Sequence, residues 1–279
     1  MSGPLPEGWL EGHPYLRPVA ELRARVDRAV AEIGVPPAAV PDWEPYREEF
    51  EAGVPLLAST DTPIELEPVA ARIGELVGRL EAAPLPRGLA DEVSSLAAVM
   101  RSSPETARGL VGWLLGDESL EPPSPGLSRF LGWTVLELSL RSVVKSFARW
   151  RDEEHWLRRY CPTCGSPPAM GQLAGVDPAR HRLLSCGGCR TRWRFRRTQC
   201  PFCENDSQRL SGIKIDGEAA LRIDHCEACK GYLKTYVGQG SEDLLLADWT
   251  SLHLDLLALD RGLKRQATSL YDVESLLER

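Results

Sequence analysis

Apolar residues recur at helical spacing through the first 150 positions and at strand spacing in much of the remaining chain. Leu22, Val26, Ala29, Val30 and Ile33 share one face of a helix predicted over Val19 to Ile33, with Pro18 at its start and Gly34 after it. Pro36, Pro37 and Pro41 then break the chain, and Trp43 to Phe50 predicts a short helix. A second amphipathic run carries Val69, Ile73, Leu76, Val77 and Leu80, a third spans Leu89 to Met100, and a fourth starts near Pro104 with Leu110, Val111, Trp113, Leu114 and Leu115. The longest run, Gly126 to Trp150, is apolar around most of its circumference, which predicts a buried central helix. The expectation is an all-α N-terminal domain over residues 1–154, with Trp43, Trp113 and Trp133 in its core.

Beyond residue 160 the periodicity shortens. Gly212 to Ile215, the turn signal Asp216-Gly217 and Leu221 to Asp224 predict a β-hairpin; an earlier one turns at Asp177-Pro178 and returns through Arg182 to Leu184. A leucine-rich stretch, Ser241 to Leu259, predicts a C-terminal helix or pair of helices, and Arg261 to Arg279 is polar enough to expect fraying.

All eight cysteines interleave with these hairpins as C-x-x-C pairs: Cys161/Cys164, Cys186/Cys189, Cys200/Cys203 and Cys226/Cys229, separated by 21, 10 and 22 residues. A C-x-x-C turn aims two sulfurs at one point, and a second turn alongside completes a tetrahedron. The first two pairs and the last two repeat at offsets of 39 and 40 residues, the mark of an internal duplication. Two metal ions are expected, one per repeat, and tetrahedral thiolates suit iron or zinc. The fold class is therefore α+β: the all-α domain, a duplicated rubredoxin-like or zinc-ribbon-like four-cysteine metal module (units 155–197 and 198–240), and a C-terminal helical tail over 241–279. Each unit has few apolar residues of its own. A core that small gives about 3–5 kcal/mol, whereas a structural metal site contributes on the order of 10–16 kcal/mol, so the metals are expected to dominate the module's stability.

Charge qualifies the picture. Residues 156–240 hold fourteen Lys and Arg against seven Asp and Glu, a balance of +7 in a chain of net −7, so the rest carries −14. The overall acidity counts against nucleic-acid and membrane binding. Arg190, Arg192, Arg194 and Arg196 alternate with Thr191, Trp193 and Phe195, which on a strand would gather four guanidiniums on one face. They either offset thiolate charge or form a docking face for an acidic partner. His225 adjoins Cys226 but is not needed where four sulfurs are present, and His13, His155 and His181 lack a motif. No P-loop, dinucleotide fingerprint or nucleophile elbow occurs, so no catalytic residue is assigned. Met1 to Glu7 shows neither a basic nor an apolar signal region, no window is apolar enough to span a membrane, and eight reduced cysteines fit a cytoplasmic setting.

Several stretches together resemble the FdhE family, accessory proteins for formate dehydrogenase maturation. They are Cys161-Pro162-Thr163-Cys164-Gly165-Ser166 with Pro168, Leu184 and Cys186 to Cys189 with Trp193 and Arg197, and Cys200 to Glu204. Beyond them come Cys226 to Cys229 with Tyr232-Leu233-Lys234, and Asp248 through Asp255. The resemblance covers roughly residues 155–260. It implies a cytoplasmic, non-enzymatic assembly factor that binds the catalytic subunit of a respiratory formate dehydrogenase before export, with rubredoxin-like sites and iron as the metal. Two other classes fit the residues alone: a zinc-ribbon binder of single-stranded nucleic acid, and a thiol redox or sulfur-handling enzyme.

Overall fold

The computed structural model describes residues 9–102, 104–117, 119–176, 179–216, 220–238 and 247–272. Its contacts gather into two units that interleave along the chain. One comprises Leu10–Asp42, Pro63–Arg149 and the segment from Leu270; the other comprises Trp43–Thr62 and Trp150–Ser269. A single cut at residue 154 does not reproduce this division, because Trp43–Thr62 joins the cysteine-bearing unit.

In the helical unit, the short α1 (Trp9–Gly12) precedes α2 (Arg17–Ile33), which buries Val19, Leu22, Val26, Val30 and Ile33 and stops where Gly34 turns left-handed at φ 62°. Helix α4 (Glu67–Glu81) packs on α2, α5 (Arg87–Ser102) and α6 (Pro104–Leu114). The long α7 (Pro125–Trp150) buries Leu127, Phe130, Leu131, Trp133, Leu136, Leu140, Val143 and Phe147, and so is covered on most sides. Gly132 sits against Leu114, where an added Cβ would collide with a leucine methyl. Trp133 is core, whereas Trp113 is half-buried beneath the Arg129 guanidinium, 4.8 Å from the ring centre.

The cysteine-bearing unit has α3 (Arg47–Ala52), shorter than the predicted Trp43–Phe50 helix, starting four residues later and ending two residues beyond it, followed by a 3-10 turn at Leu56–Ala58. Its sheet has strands β1 (Pro168–Ala174), β2 (His181–Cys186), β3 (Arg192–Phe195), β4 (Leu210–Lys214), β5 (Leu221–Cys226), β6 (Gly231–Val237) and β7 (Lys264–Arg265). The spatial order is β3-β2-β1-β6-β5-β4. Each repeat is an antiparallel three-strand meander, and the first strand of one repeat pairs in parallel with the last strand of the other, Met170 opposite Lys234 and Leu173 opposite Val237. The two metal units are thus one sheet rather than two beads. The hairpin turns predicted at Asp177-Pro178 and at Gly217 lie outside the described residues.

The tail departs from expectation in one respect. A 3-10 turn (Asp248–Ser251) leads into α8 (Leu252–Asp260), while the start of the predicted helix, 241–246, lies outside the described residues. The chain then does not fray: β7 pairs with Gly231 and Tyr232 of β6, ahead of the stretch that β1 pairs. Leu263 and Ala267 are buried. Residues 273–279 lie outside the described residues. Met170, Leu221, Ile223, Tyr232, Tyr236, Leu254, Ala258 and Leu263 form one core between α8 and the sheet.

Candidate metal centre

Each C-x-x-C pair is a turn whose next residue adopts left-handed φ: Gly165 at 76°, Arg190 at 61°, Glu204 at 59° and Lys230 at 59°. In three of them the amide of that residue donates to the carbonyl of the first cysteine, Gly165 to Cys161 at 2.9 Å, Glu204 to Cys200 at 3.0 Å and Lys230 to Cys226 at 2.8 Å. Only the first knuckle has the glycine that such a φ favours; the other three accept a Cβ penalty of about 1–2 kcal/mol.

The sulfurs gather within each repeat. Cys161 and Cys189 lie 3.4 Å apart and Cys164 and Cys186 3.5 Å; Cys200 and Cys229 lie 3.8 Å apart and Cys203 and Cys226 3.7 Å. In each set of four all the sulfurs are within 4.8 Å of one another. A disulfide needs roughly 2.0 Å. Four thiolates around one ion at bonds of about 2.3 Å give edges of roughly 3.8 Å. Each set could therefore hold one metal ion, and the all-sulfur donor set suits iron or zinc equally.

The two sets differ in electrostatics and exposure. Burial pushes the Cys161 thiol well above its ordinary range, while contacts from Cys161, Cys186 and Cys189 hold Cys164 well below it. In the second set burial raises Cys200. Burial acts upward on Cys203 too, but hydrogen bonds from Asn205 outweigh it and bring that thiol to about 6. The Asn205 amide donates to Cys203 Sγ at 3.1 Å, and the Gly231 and Phe202 amides to Cys229 and Cys200 at 3.3 and 3.4 Å. One cysteine of the first set, Cys164, is half-buried, against two of the second, Cys203 and Cys229; the others are buried.

The first set is braced by a segment distant in sequence. The amides of Leu56 and Leu57 donate to the carbonyls of Pro162 and Thr163 at 2.9 and 2.8 Å. Phe50 stacks on Trp156 at 5.2 Å, and the Tyr160 hydroxyl donates to Gly53 at 2.8 Å. Behind the sulfurs, Thr163 and Thr191 meet through their hydroxyls at 2.7 Å. The equivalent positions in the second repeat are Phe202 and Gly231, where a Cβ on the glycine would come within 2.8 Å of the Phe202 ring.

Of the four arginines expected in one row, Arg190 occupies the left-handed knuckle position before β3 rather than a strand position. Arg192 donates to Gln172 and Arg194 to Glu154, and Arg194 and Arg196 are the more open to solvent, with the Arg194 side chain 43% exposed. Trp193 and Phe195 are buried opposite, as alternation requires. His225 lies outside both sulfur sets, with Nδ1 3.4 Å from Glu227.

A second cluster joins the Tyr232-Leu233-Lys234 stretch to the Asp248–Asp255 stretch. Lys234 on β6 is 1% exposed and meets Asp248 at 2.6 Å and Asp255 at 2.7 Å. Arg265 on β7 meets the same carboxylates at 2.6 and 2.7 Å, and the Tyr232 hydroxyl donates to Asp255 at 2.7 Å. Two cations against two anions leave the box neutral, and it ties the tail to the sheet. Its sequence signal was a lysine on the inward face of β6, between Tyr232 and Tyr236.

Comparison with known proteins agrees with the motifs. Residues 160–197 match the pattern of "FdhE, central domain". The chain is 32% identical to "Protein FdhE homolog" of Pseudomonas aeruginosa, across 93% of this chain and 85% of that one. It is 31% identical to the protein of the same name from Stutzerimonas stutzeri, across 93% and 84%. The crystal structure of the FdhE protein from Pseudomonas aeruginosa superposes with a TM-score of 0.61 at 26% identity, covering 96% of this chain and 92% of that one.

Proposed function

Because the chain belongs to the FdhE family, we propose that it is an accessory factor for maturation of a respiratory formate dehydrogenase. It binds the catalytic subunit in the cytoplasm before export. The supporting observation is the closure of both sulfur sets. Four mutually close sulfurs fill a tetrahedral ion, and a closed shell is structural, since catalytic sites keep a position open. Cys161, Cys164, Cys186 and Cys189 hold one ion and Cys200, Cys203, Cys226 and Cys229 the other; the metal is iron, as the family resemblance implies, or zinc. Bound metal draws two distant knuckles to one point and fixes the meander between them. The closed shells leave no sulfur free for thiol exchange, which argues for a binding protein over a redox enzyme.

The arginine row contributes to client docking through its open end, Arg194 and Arg196. Exposed charges of this kind act on association rate and selectivity. No helix among the described residues is long and apolar enough to cross a membrane.

The test is co-purification of the metal-loaded chain with the unexported catalytic subunit of the host's formate dehydrogenase, alongside formate dehydrogenase activity in cells lacking the chain. A stoichiometric complex and lost activity are expected. No complex and full activity would overturn the reading.

A further inference from the structure

One face of the sheet packs against the tail; the other carries a feature that neither the metal sites nor the tail requires. Pairing places Leu173 beside Arg182 and Leu233 beside Asp224, so these four side chains share the face opposite the Tyr232–Lys234–Tyr236 row. Together with Arg197 and Arg222 they line a cleft of about 350 Å³ over the seam between the repeats, reaching the second sulfur set at Cys200 and Cys226.

Among the described residues, three guanidiniums line this cleft with one carboxylate, Asp224, and the sulfurs of Cys200 and Cys226. Asp224 is already shared: its Oδ1 lies 2.8 Å from Arg222 Nε, and its Oδ2 lies 3.7 Å from Arg182 and accepts from Thr235 at 2.9 Å. The Arg182 side chain is 7% exposed and donates one Nη to the Gln199 carbonyl at 3.0 Å, but its buried Nε has no hydrogen-bond partner among the described residues. Arg197, at the exposed rim of the cleft, donates one Nη to the Arg180 carbonyl at 2.9 Å. Burial lowers the Arg182 pKa; Asp224 and Cys200 oppose that shift, while Arg222 and Arg197 add to it.

We propose that this cleft is a binding site for an oxyanion, a carboxylate or phosphate group seated between Arg182, Arg197 and Arg222 above the apolar floor of Leu173 and Leu233. Planar guanidinium forks match such groups in pairs of hydrogen bonds. The group arrives either as a free anion or as an acidic side chain of a peptide. The site stands apart from the accessory role and does not depend on the identity of any client.

Isothermal titration calorimetry on the full chain with both metals loaded tests it, using inorganic phosphate in one arm and acetylated tetraglutamate in the other. Saturable binding of one probe per chain is expected, weakened about tenfold or more by Arg197→Gln and by Arg222→Gln at unchanged metal content. Binding of phosphate identifies a free anion as sufficient; binding of tetraglutamate alone assigns the source to peptide carboxylates. No saturable binding of either probe, or affinity unchanged in both variants, would overturn the proposal. Loss of metal in both variants would also overturn it, since the guanidiniums would then serve the thiolates alone.

Discussion

The ammonium of Lys234 lies 2.7 Å from the Asp255 carboxylate, and only 1% and 11% of the two side chains reach solvent. A charge so deeply withdrawn from water is tolerable because Asp248, Arg265 and Tyr232 complete its surroundings. Substitution Lys234→Met leaves two buried carboxylates facing one guanidinium. A loss of about 3–5 kcal/mol is expected, read from the urea midpoint of the metal-loaded protein. An unchanged midpoint would show that the box carries no stability.

The same box sets an acid limit on tail docking. Burial raises the Asp248 carboxyl, but Arg265 and Lys234 outweigh it and hold it well below the usual range. A depressed carboxyl contributes stability above its unfolded value of about 3.9, and loses it as pH falls through the lower folded value. The tail is therefore expected to stay docked at pH 4 to 5 and to release in stronger acid, with Asp248→Asn removing that step. Fluorescence of Trp249, buried beside Asp248, follows it. Release of the wild-type tail near pH 6 would contradict the sign.

Metal loss is expected to be ordered. Cys203 and Cys229 are half-buried in the second set, whereas Cys164 alone is so in the first. A chromogenic chelator should withdraw one ion ahead of the other, and Cys203→Ser should abolish the early phase. Release of both ions in a single phase from the wild type would refute the ordering.

The knuckles offer a paired substitution. Glu204 holds φ 59° where Gly165 holds 76°. Glu204→Gly should gain about 1 kcal/mol by relieving its Cβ. Gly165→Ala should lose at least as much, since its Cβ would also come within 3.2 Å of Pro55. Opposite shifts in thermal midpoint are the signature, and shifts of the same sign would sink the argument.

Client docking through the arginine row predicts that Arg194→Ser with Arg196→Ser slows association with the catalytic subunit at low salt, the difference shrinking at high salt, with metal content intact. Unchanged association with lowered metal content would assign these side chains to charge compensation.

The cysteine spacing and the helical periods were readable because each is a local signal: a C-x-x-C turn shapes itself, and α2, α4, α5, α6 and α7 each bury one or more faces. The parallel pairing of Met170 with Lys234 was not readable, because it joins strands about sixty residues apart. Nor was the brace at Leu56 and Leu57, which works through backbone amides that any residue supplies. The short strand at Lys264–Arg265 looked polar enough to fray, yet half-buried Arg265 is held by its ion partners rather than by apolar character. Arg190 misled for the opposite reason: its place in the alternation was right, but the knuckle turn claimed its backbone.

The Thr163–Thr191 and Phe202–Gly231 pairs bear on the history of the duplication. One copy fills the space behind its sulfurs with two medium side chains, the other with a large ring and none. The first and second halves of each copy have become matched parts. A chimera carrying Phe202 opposite a threonine would be overfilled, and one carrying Thr163 opposite a glycine would hold a void. Piecemeal exchange between the copies is thereby penalised, while exchange of a whole copy is not.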